Sequence, residues 1–185
     1  MSKQSTKKDI IDAFWSLYQV KDISKISVKE ICEIAGYHRT TFYDHFSDVY
    51  DVLNQLELLI LPPFELIIEE LNQSKDSIDF YAIFDQFLSI LTQNKEYLSV
   101  IVGKRRDPYF QDRIKKIIRP IFLKHFKANQ LPDTYSSYLF EYHISAVFGL
   151  VTFWFQNGEE LSKEELMRLL YSISDNGIFH MIDRR

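Results

Sequence analysis

The sequence predicts an all-α protein in which a small helix-turn-helix domain precedes a larger helical domain. Two capping boxes, Ser27 with Glu30 and Ser162 with Glu165, mark the starts of helices. From Phe64 onward the apolar residues keep helical spacing, and no hairpin turn or sustained apolar-polar alternation indicates a strand.

The first helices form a compact N-terminal group. Residues 6–20 carry one apolar stripe, formed by Ile10, Ile11, Phe14, Leu17 and Tyr18. A second helix begins at about Val28 and ends at Gly36, because glycine readily takes the left-handed conformation that closes a helix. A short third helix follows, in which Phe42 and Phe46 are one turn apart and point inward while polar side chains point outward. This arrangement is a helix-turn-helix.

The string AGYHRTTFYDHF, followed by SDVYDVL, resembles the DNA-binding domain of the TetR family of bacterial transcriptional regulators. The family pattern has a glycine turn, a short recognition helix that ends in a Phe-Tyr-x-His-Phe core, and an Asp-rich start to a linking helix. The resemblance covers about the first quarter of the chain. Two positions depart from the pattern: Val49 stands where many relatives have lysine, and Asp44 where a basic or aromatic residue is common.

The polar side chains on and near the third helix are the candidate DNA contacts. A recognition helix enters the major groove by its N-terminal end, so Arg39 and Thr40 are expected to read base edges. Four further side chains lie near two helix N-termini and are expected to donate hydrogen bonds to phosphates. They belong to Ser27, Thr41, Tyr43 and His45. His38 precedes the helix, where it either caps the helix or contacts DNA.

The charge distribution restricts any DNA contact to one part of the surface. The chain has 22 basic and 26 acidic residues and a net charge of -4, whereas a protein that binds nucleic acid with its whole surface is basic. Basic residues nevertheless gather in the first segment, at Lys3, Lys7, Lys8, Lys21, Lys25, Lys29 and Arg39. The sequence therefore predicts a local basic patch.

The remaining chain predicts a series of helices. Ser47 is expected to cap a helix that Asp48 also stabilises through the helix dipole, and this helix must stop or bend at Pro62 and Pro63. The further candidates are Phe64 to Gln73, Ser77 to Asn94, Lys95 to Val102, Pro108 to Lys127, Pro132 to Asn157 and Lys163 to about Asp183. The helix after Ser47 connects the two domains and is the expected lever between them.

The last two predicted helices carry more apolar surface than one chain can cover. The first stripe consists of Leu139, Tyr142, His143, Ala146, Val147, Leu150, Phe153 and Trp154. The second consists of Leu166, Leu169, Leu170 and Ile173, continued after an expected kink at Asn176-Gly177 by Ile178 and Phe179. An uncovered apolar face predicts a partner, and the resemblance to the TetR family implies a homodimer in which these helices form a four-helix bundle with their copies.

Aromatic residues are abundant in the second domain, and core packing explains most of them. The resemblance to ligand-responsive TetR-family members implies that some line an effector pocket instead. The candidates are Phe84, Phe87, Tyr109, Phe122, Tyr142 and His143. The basic corner at residues 104–106 is either a solvated loop or helix cap, or a site for an anion.

Several kinds of site and location are not indicated by the sequence. The five histidines have no metal-ligand spacing, so neither a metal nor another cofactor is expected. The single cysteine, Cys32, excludes an internal disulfide and fits a reducing cytoplasm. Residues 1–9 lack the apolar core of a signal peptide, and the aliphatic run at residues 56–61 is too short to span a membrane. No nucleophile-base pair or phosphate-binding loop indicates an enzyme.

Together these features predict a cytoplasmic transcriptional regulator that binds a double-stranded DNA operator. Residues 1–47 form the expected DNA-binding domain, and residues 48–185 form the regulatory and dimerisation domain. Two recognition helices of a dimer would meet successive major grooves, so the operator would be palindromic. The leading hypothesis is a repressor that a small-molecule effector releases from DNA. The alternative is a ligand-independent DNA-binding regulator whose C-terminal domain binds a protein partner.

Overall fold

The computed structural model describes residues 3–60, 80–128 and 131–179 of the chain. Every regular element within those ranges is a helix, so the prediction of an all-α fold is confirmed. The chain divides into two compact units, Met1–Ile60 and Leu61–Arg185. The first unit therefore extends past residue 47, the expected end of the DNA-binding domain, and includes the next helix.

The first unit contains four α-helices among its described residues. They are α1 (Lys3–Tyr18), α2 (Val28–Ala35), α3 (Arg39–Tyr43) and α4 (Val49–Ile60), with a short 3-10 turn at Ile23–Lys25. Helix α1 packs against α2 and α4, and α2 packs against α3. The predicted helix-turn-helix, formed by α2, the turn and α3, is confirmed.

The core of the first unit is aromatic. The rings of Phe14 and Tyr18 stack with their centroids 5.4 Å apart, and those of Phe42 and Phe46 lie 5.6 Å apart. All four side chains are buried. A helix of five residues is too short to be stable by itself, so the burial of Phe42 and Phe46 holds α3 in place.

Helix α4 begins with a different cap from the one expected. The Asp48 carboxylate accepts a hydrogen bond from the Asp51 N–H at 2.8 Å, which makes Asp48 the N-cap residue. Ser47 precedes this cap, and its N–H and hydroxyl donate to the Asp51 carboxylate at 2.9 and 3.2 Å. The expected Ser47 cap is wrong because the helix begins at Val49, one residue later than that cap requires.

The second unit contains five α-helices and two π-helical turns in its described part. They are α5 (Phe80–Gln93), α6 (Lys95–Leu98), the first π-helical turn (Ser99–Lys104), α7 (Pro108–Ala128), α8 (Asp133–Gln156), α9 (Lys163–Ser174) and the second π-helical turn (Asp175–Phe179). The capping box predicted at Ser162 and Glu165 is confirmed at the start of α9. The predicted helix at residues 64–73 lies outside the described residues.

Two of the predicted helices are shorter than expected. Helix α6 ends at Leu98 rather than Val102 and is followed by the first π-helical turn. Helix α9 ends at Ser174 and is followed by the second π-helical turn. The last part of its predicted continuation, up to Asp183, lies outside the described residues.

Contacts with α8 explain the first π-helical turn. A Cβ atom at Gly103 would lie 2.7 Å from the Phe155 Cβ, so only glycine lets the turn approach α8 this closely. Two side chains of α8 also bond carbonyl groups of the turn. Gln156 Nε2 donates to the Gly103 oxygen at 2.7 Å, and Thr152 Oγ1 donates to the Val102 oxygen at 3.4 Å. These partners satisfy carbonyls in a segment whose hydrogen bonding is not α-helical.

Helices α7 and α8 run antiparallel. Lys115 pairs with Glu141 at 2.6 Å, and one turn further along α7 the Arg119 guanidinium donates to the Ser137 hydroxyl at 3.1 Å. Residue numbers therefore rise on α7 as they fall on α8. A core cluster that includes Phe122, Phe140 and Ile144 lies between the two helices.

Candidate functional site

The turn between α2 and α3 is fixed at both ends. Gly36 has φ 75° and ψ 28°, the left-handed conformation that the sequence predicts, and its N–H donates to the Cys32 carbonyl. Tyr37 follows, and its hydroxyl donates to Asp9 Oδ2 at 2.8 Å, which raises the pKa of Tyr37. Because Asp9 lies on α1, the turn is attached to the helix that supports it.

The N-terminus of α2 carries a charged network, and it contains the predicted capping box. Ser27 Oγ accepts from the Glu30 N–H at 3.3 Å, while Glu30 Oε2 accepts from the Ser27 N–H at 3.0 Å and from the Ser27 hydroxyl at 2.9 Å. Lys21 Nζ lies 2.5 Å from Glu30 Oε1. The bond from Lys21, followed by those from Ser27, lowers the pKa of Glu30 from 4.5 to about 2. A phosphate contact by the Ser27 hydroxyl would therefore have to replace its bond to Glu30.

Helix α3 and its flanking residues bring the other predicted DNA contacts together. The side chains of His38, Arg39, Thr40 and Tyr43 are exposed, and those of Thr41 and His45 are half-buried. Tyr43 has 59% of its surface exposed although it is a large aromatic residue. Within the ranges that the structure describes, no carboxylate pairs with the Arg39 guanidinium. This segment therefore combines a buried aromatic side with a polar side that is open to a ligand.

His38 occupies the N-cap position of α3 without capping the helix through its side chain. Its backbone is extended, with φ -80° and ψ 156°, and the imidazole makes no capping hydrogen bond to the described helix. Capping by the imidazole, one of the two roles predicted for His38, is therefore wrong. The exposed imidazole lies beside Arg39 at the N-terminal end of α3.

The positive charge around α2 is partly neutralised. Lys21 pairs with Glu30, and Lys29 pairs with Glu33 at 3.7 Å. Val49, where the sequence resemblance gives many relatives a lysine, has only 8% of its surface exposed. Position 49 thus supplies core packing in this chain rather than a cation for a phosphate.

Two of the residues that were candidates for an effector pocket lie together in the core, whereas two others lie at the surface. Phe122 and His143 are buried with their ring centroids 5.0 Å apart, so they pack in the core of the second unit. Tyr109 and Tyr142 instead have 72% and 67% of their surfaces exposed. Phe87 is half-buried on α5. The side chain of Phe84 lies outside the described part of the structure.

His143 is a buried titratable group in the second unit. Desolvation lowers its pKa from 6.5 to about 4, because the charged imidazolium loses its hydration inside the core. The imidazole is therefore neutral near pH 7. This residue behaves as a packed core histidine beside Phe122.

In the described ranges, no three His, Cys, Asp or Glu side chains are grouped as metal ligands. None of the helices in the same ranges has both the length and the apolar character needed to cross a bilayer. Cys32 is buried, and desolvation raises the pKa of its thiol.

The family of the chain follows from its second unit. A TetR-type family model, described as a transcriptional regulator C-terminal region, matches residues 78–176, which is more than half of the 185 residues. The chain belongs to the TetR family of transcriptional regulators. The N-terminal helix-turn-helix and the helical second unit agree with this assignment.

Relatives of this TetR-family regulator match it along most of its length. An uncharacterised HTH-type transcriptional regulator from Haemophilus influenzae is 26% identical over 183 residues, which cover 91% of this chain and 85% of that protein. The crystal structure of a TetR transcriptional regulator from Streptococcus agalactiae is 22% identical, with a TM-score of 0.65 over 92% of this chain and 94% of that one. A TetR-family regulator from Streptomyces coelicolor is 14% identical, with a TM-score of 0.61 over 100% and 89% of the two chains. The two structures show a shared fold.

The second unit of this TetR-family regulator contains a groove between α7 and α8. Its volume is about 360 Å³, and it is open to solvent rather than enclosed. Its polar lining includes Arg106, Gln111, Lys115 and Gln156, and its apolar lining includes Phe148 and Phe153. Of the predicted effector residues whose side chains the structure describes, none lines this groove. From the sequence, only the basic corner at residues 104–106 indicated a site in this part of the chain. The α7 and α8 residues that line the groove are distant in sequence, so only tertiary packing brings them together.

Proposed function

We propose that this TetR-family regulator represses transcription by inserting α3 of each subunit into a palindromic DNA operator. The observation that carries the proposal is the exposed polar side of α3, held on the buried rings of Phe42 and Phe46. Arg39 and Thr40, at the N-terminal end of α3, read base edges, with His38 beside them. Ser27, Thr41, Tyr43 and His45 donate to phosphates on either side of the groove.

The free guanidinium supports a base-reading role for Arg39. An arginine that already pairs with a carboxylate would lose that bond on entering the groove, whereas Arg39 has no such partner in the described ranges. Its five donors fit the two acceptors on the edge of guanine. Tyr43 is one turn further along α3 and has a single hydroxyl, which suits a phosphate oxygen better than a base edge.

The regulator acts as a dimer in this proposal, as TetR-family regulators do. Part of the predicted apolar stripes is buried within the second unit, including His143, Trp154, Leu166 and Leu170. Exposed members remain at Tyr142, Ala146 and Phe153 on α8, with the exposed Gly149 between them, and at Leu169 and Ile173 on α9. These exposed residues follow helical spacing, which supports pairing through the last two helices. The two α3 helices would then meet half-sites separated by one or more helical turns, each roughly 34–36 Å.

An effector bound in the second unit would release the operator. Helix α4 is the last helix of the first unit, and the chain continues from it into the second unit. A ligand-dependent shift of α4 would change the separation of the two α3 helices. Because a ligand shifts an equilibrium only by its differential affinity, the effector must bind the released state more tightly than the DNA-bound state.

Substitutions at Arg39 and Tyr43 test the proposed division of roles. The operator is first located by footprinting on the DNA that flanks the gene. Arg39→Ala should then lose about 1–3 kcal/mol of operator binding and relax the sequence preference, because a bidentate base contact is removed. Tyr43→Ala should weaken binding to every sequence alike, because it removes a phosphate contact. Tyr109→Ala, an exposed tyrosine on α7, is the matched control and should leave DNA binding unchanged.

The result that contradicts the assignment is an equal, sequence-independent loss from Arg39→Ala and Tyr43→Ala. The absence of any footprint would contradict operator binding itself. Reporter transcription in cells that lack the regulator tests the sign of regulation, because loss of a repressor raises transcription from the bound promoter.

A second candidate function is a ligand-independent regulator whose second unit binds a protein partner. Tyr135 and Tyr138 are exposed on α8 beyond the proposed dimer stripe, and tyrosines are enriched at protein interfaces. A screen for operator release separates the two functions. If every compound that stabilises the protein leaves its DNA affinity unchanged, the partner-binding function is favoured.

A further inference from the structure

We infer that Lys7 on α1 binds a DNA phosphate beside the C-terminal end of α3. The DNA contacts proposed above lie on α3 and next to α2 and α3, and none of them lies on α1. Lys7 would therefore add a third helix to the interface. The inference rests on the proposed function, because it concerns the same DNA.

The chain after α3 is poor in positive charge. The sequence has no lysine or arginine between Arg39 and Lys75. Tyr43 and His45, the phosphate contacts proposed near this end of α3, are neither. The acidic residues in positions 40–60 are Asp44, Asp48, Asp51 and Glu57. Because lysine and arginine supply most of the affinity of a protein for the DNA backbone, the cation for this end of α3 must come from another element.

Lys7 lies on the packed side of α1. Ile11 and Phe14, four and seven positions later, are both buried, so helical spacing puts Lys7 in the same stripe. Its side chain is half-buried, whereas that of Lys8, about 100° around the helix, is exposed. A lysine in such a stripe covers apolar neighbours with its stem and keeps its ammonium at the edge of the packed region.

The Lys7 ammonium is located by the Phe46 ring. Lys7 Nζ lies 6.0 Å from the centre of this ring, a distance at which a cation is attracted to an aromatic face. The same ring lies 5.6 Å from that of Phe42 on α3 and 6.4 Å from the His45 imidazole. Lys7 and His45 thus share one neighbour, which places the charge of α1 beside the last part of the helix-turn-helix.

The charge of Lys7 is not used in an ion pair. The Asp51 carboxylate accepts from the Ser47 N–H and hydroxyl at 2.9 and 3.2 Å. The bond from the Ser47 N–H is the main cause that lowers the pKa of Asp51, and the charge of Lys7 adds to the shift from a distance. In the ranges that the structure describes, no carboxylate pairs with Lys7, whereas Lys21 and Lys29 are both paired. The Lys7 ammonium can therefore donate to a phosphate without losing a partner.

The salt dependence of DNA binding by the full-length protein tests this inference. Lys7→Met keeps an unbranched apolar stem over Phe46 and removes the charge. A dimer carries two copies of Lys7, so the slope of the logarithm of operator affinity against the logarithm of salt concentration should become shallower by about two. Raising the salt from about 50 to 200 mM should then weaken the parent roughly tenfold more than the variant.

Three further substitutions at lysines locate the contact. Lys7→Arg keeps the charge and should keep the parent slope, whereas Lys7→Gln should lower the slope as Lys7→Met does. Lys8→Met removes the same charge from the exposed side of α1 and should change the slope less than Lys7→Met. Lys116→Met, on α7 in the second unit, is the control for net charge and should leave the slope unchanged. Thermal unfolding without DNA shows that each variant is folded.

An Asp51→Asn background separates a phosphate contact from compensation of Asp51. Asparagine keeps an oxygen that accepts from Ser47 but has no charge. If Lys7 binds a phosphate, Lys7→Met should lower the slope by the same amount in this background. If the effect of Lys7→Met on DNA binding disappears there, Lys7 acts only by offsetting Asp51 and the inference is overturned.

The inference is also overturned if Lys7→Met keeps the parent slope, if Lys7→Arg loses it, or if Lys8→Met lowers it as much as Lys7→Met. Each protein is assayed on the operator and on an unrelated duplex, because a phosphate contact weakens both alike. Operator binding with a slope that does not depend on Lys7 contradicts the Lys7 contact alone. Equal binding to both duplexes, with a slope that still depends on Lys7, contradicts operator reading alone.

Discussion

Lowering the pH from 7 to 5 should destabilise the second unit through His143. The pKa of this buried histidine is about 4 in the folded protein and 6.5 when the chain is unfolded. Below pH 6.5 the unfolded chain therefore gains a proton that the folded protein does not accept, and stability falls until the folded group titrates near pH 4. One pKa unit corresponds to about 1.4 kcal/mol, so the complete loss is about 3 kcal/mol and the loss between pH 7 and pH 5 is about 2 kcal/mol.

Urea unfolding at several pH values, at one fixed protein concentration, measures this loss. The chain has two tryptophans, Trp15 in the first unit and Trp154 in the second. In a Trp15→Phe background, fluorescence reports the unfolding of the second unit alone. The free energy of unfolding is compared with that of His143→Gln in the same background, because the variant has no titrating group at this position. A fixed protein concentration is needed because the stability of a dimer depends on it.

The free energy of unfolding should fall by about 2 kcal/mol more in the parent than in His143→Gln between pH 7 and pH 5. The His143→Gln variant itself should be less stable at pH 7, because it loses the packing of the imidazole against Phe122. Parallel pH profiles for the two proteins would refute the reasoning. They would mean that the imidazole reaches water in the folded state and that its burial does not perturb its pKa.

Two glycine substitutions test the backbone of each unit. Gly36→Ala should cost about 1 kcal/mol in the thermal stability of the first unit, because its φ of 75° disfavours any Cβ, whereas Gly36→Asn should cost less because asparagine tolerates this conformation. An equal cost for both variants would contradict the left-handed turn. Gly103→Ala should destabilise the second unit by about 1–3 kcal/mol, since its Cβ would lie 2.7 Å from the Phe155 Cβ. Its control, Gly177→Ala, would meet nothing within 4 Å and should cost much less in the same denaturation assay.

Features of the fold that depend on neighbouring residues could be predicted from the sequence. The capping boxes at Ser27 and Ser162 and the left-handed Gly36 are local, because the partners that form each one lie within a few positions. The predicted cap at Ser47 is one position too early, since Asp48 caps the helix that begins at Val49. Both Ser47 and Asp48 are good caps, and the burial of Val49 decides between them only once the first unit has packed.

Features that depend on distant residues could not be predicted. The first π-helical turn follows from the close approach of Gly103 to Phe155 and from bonds donated by Thr152 and Gln156, which lie about fifty positions away along the chain. The groove beside Arg106 is likewise formed by residues that are distant along the chain. The surroundings of the predicted effector residues also depend on packing, because aromatic character alone does not distinguish a buried Phe122 from an exposed Tyr109.

The two units should respond differently to acid, and the difference follows from the ionisable groups that each unit uses. At the N-terminus of α2, hydrogen bonds lower the pKa of Glu30 to about 2. Its contribution to stability is complete above pH 4.5 and is lost only as the pH falls through about 2, so the cap stays charged between pH 7 and pH 5. His143 weakens the second unit within that same interval. Mild acid should therefore loosen the unit that carries the groove before it disturbs the helix-turn-helix that presents Arg39.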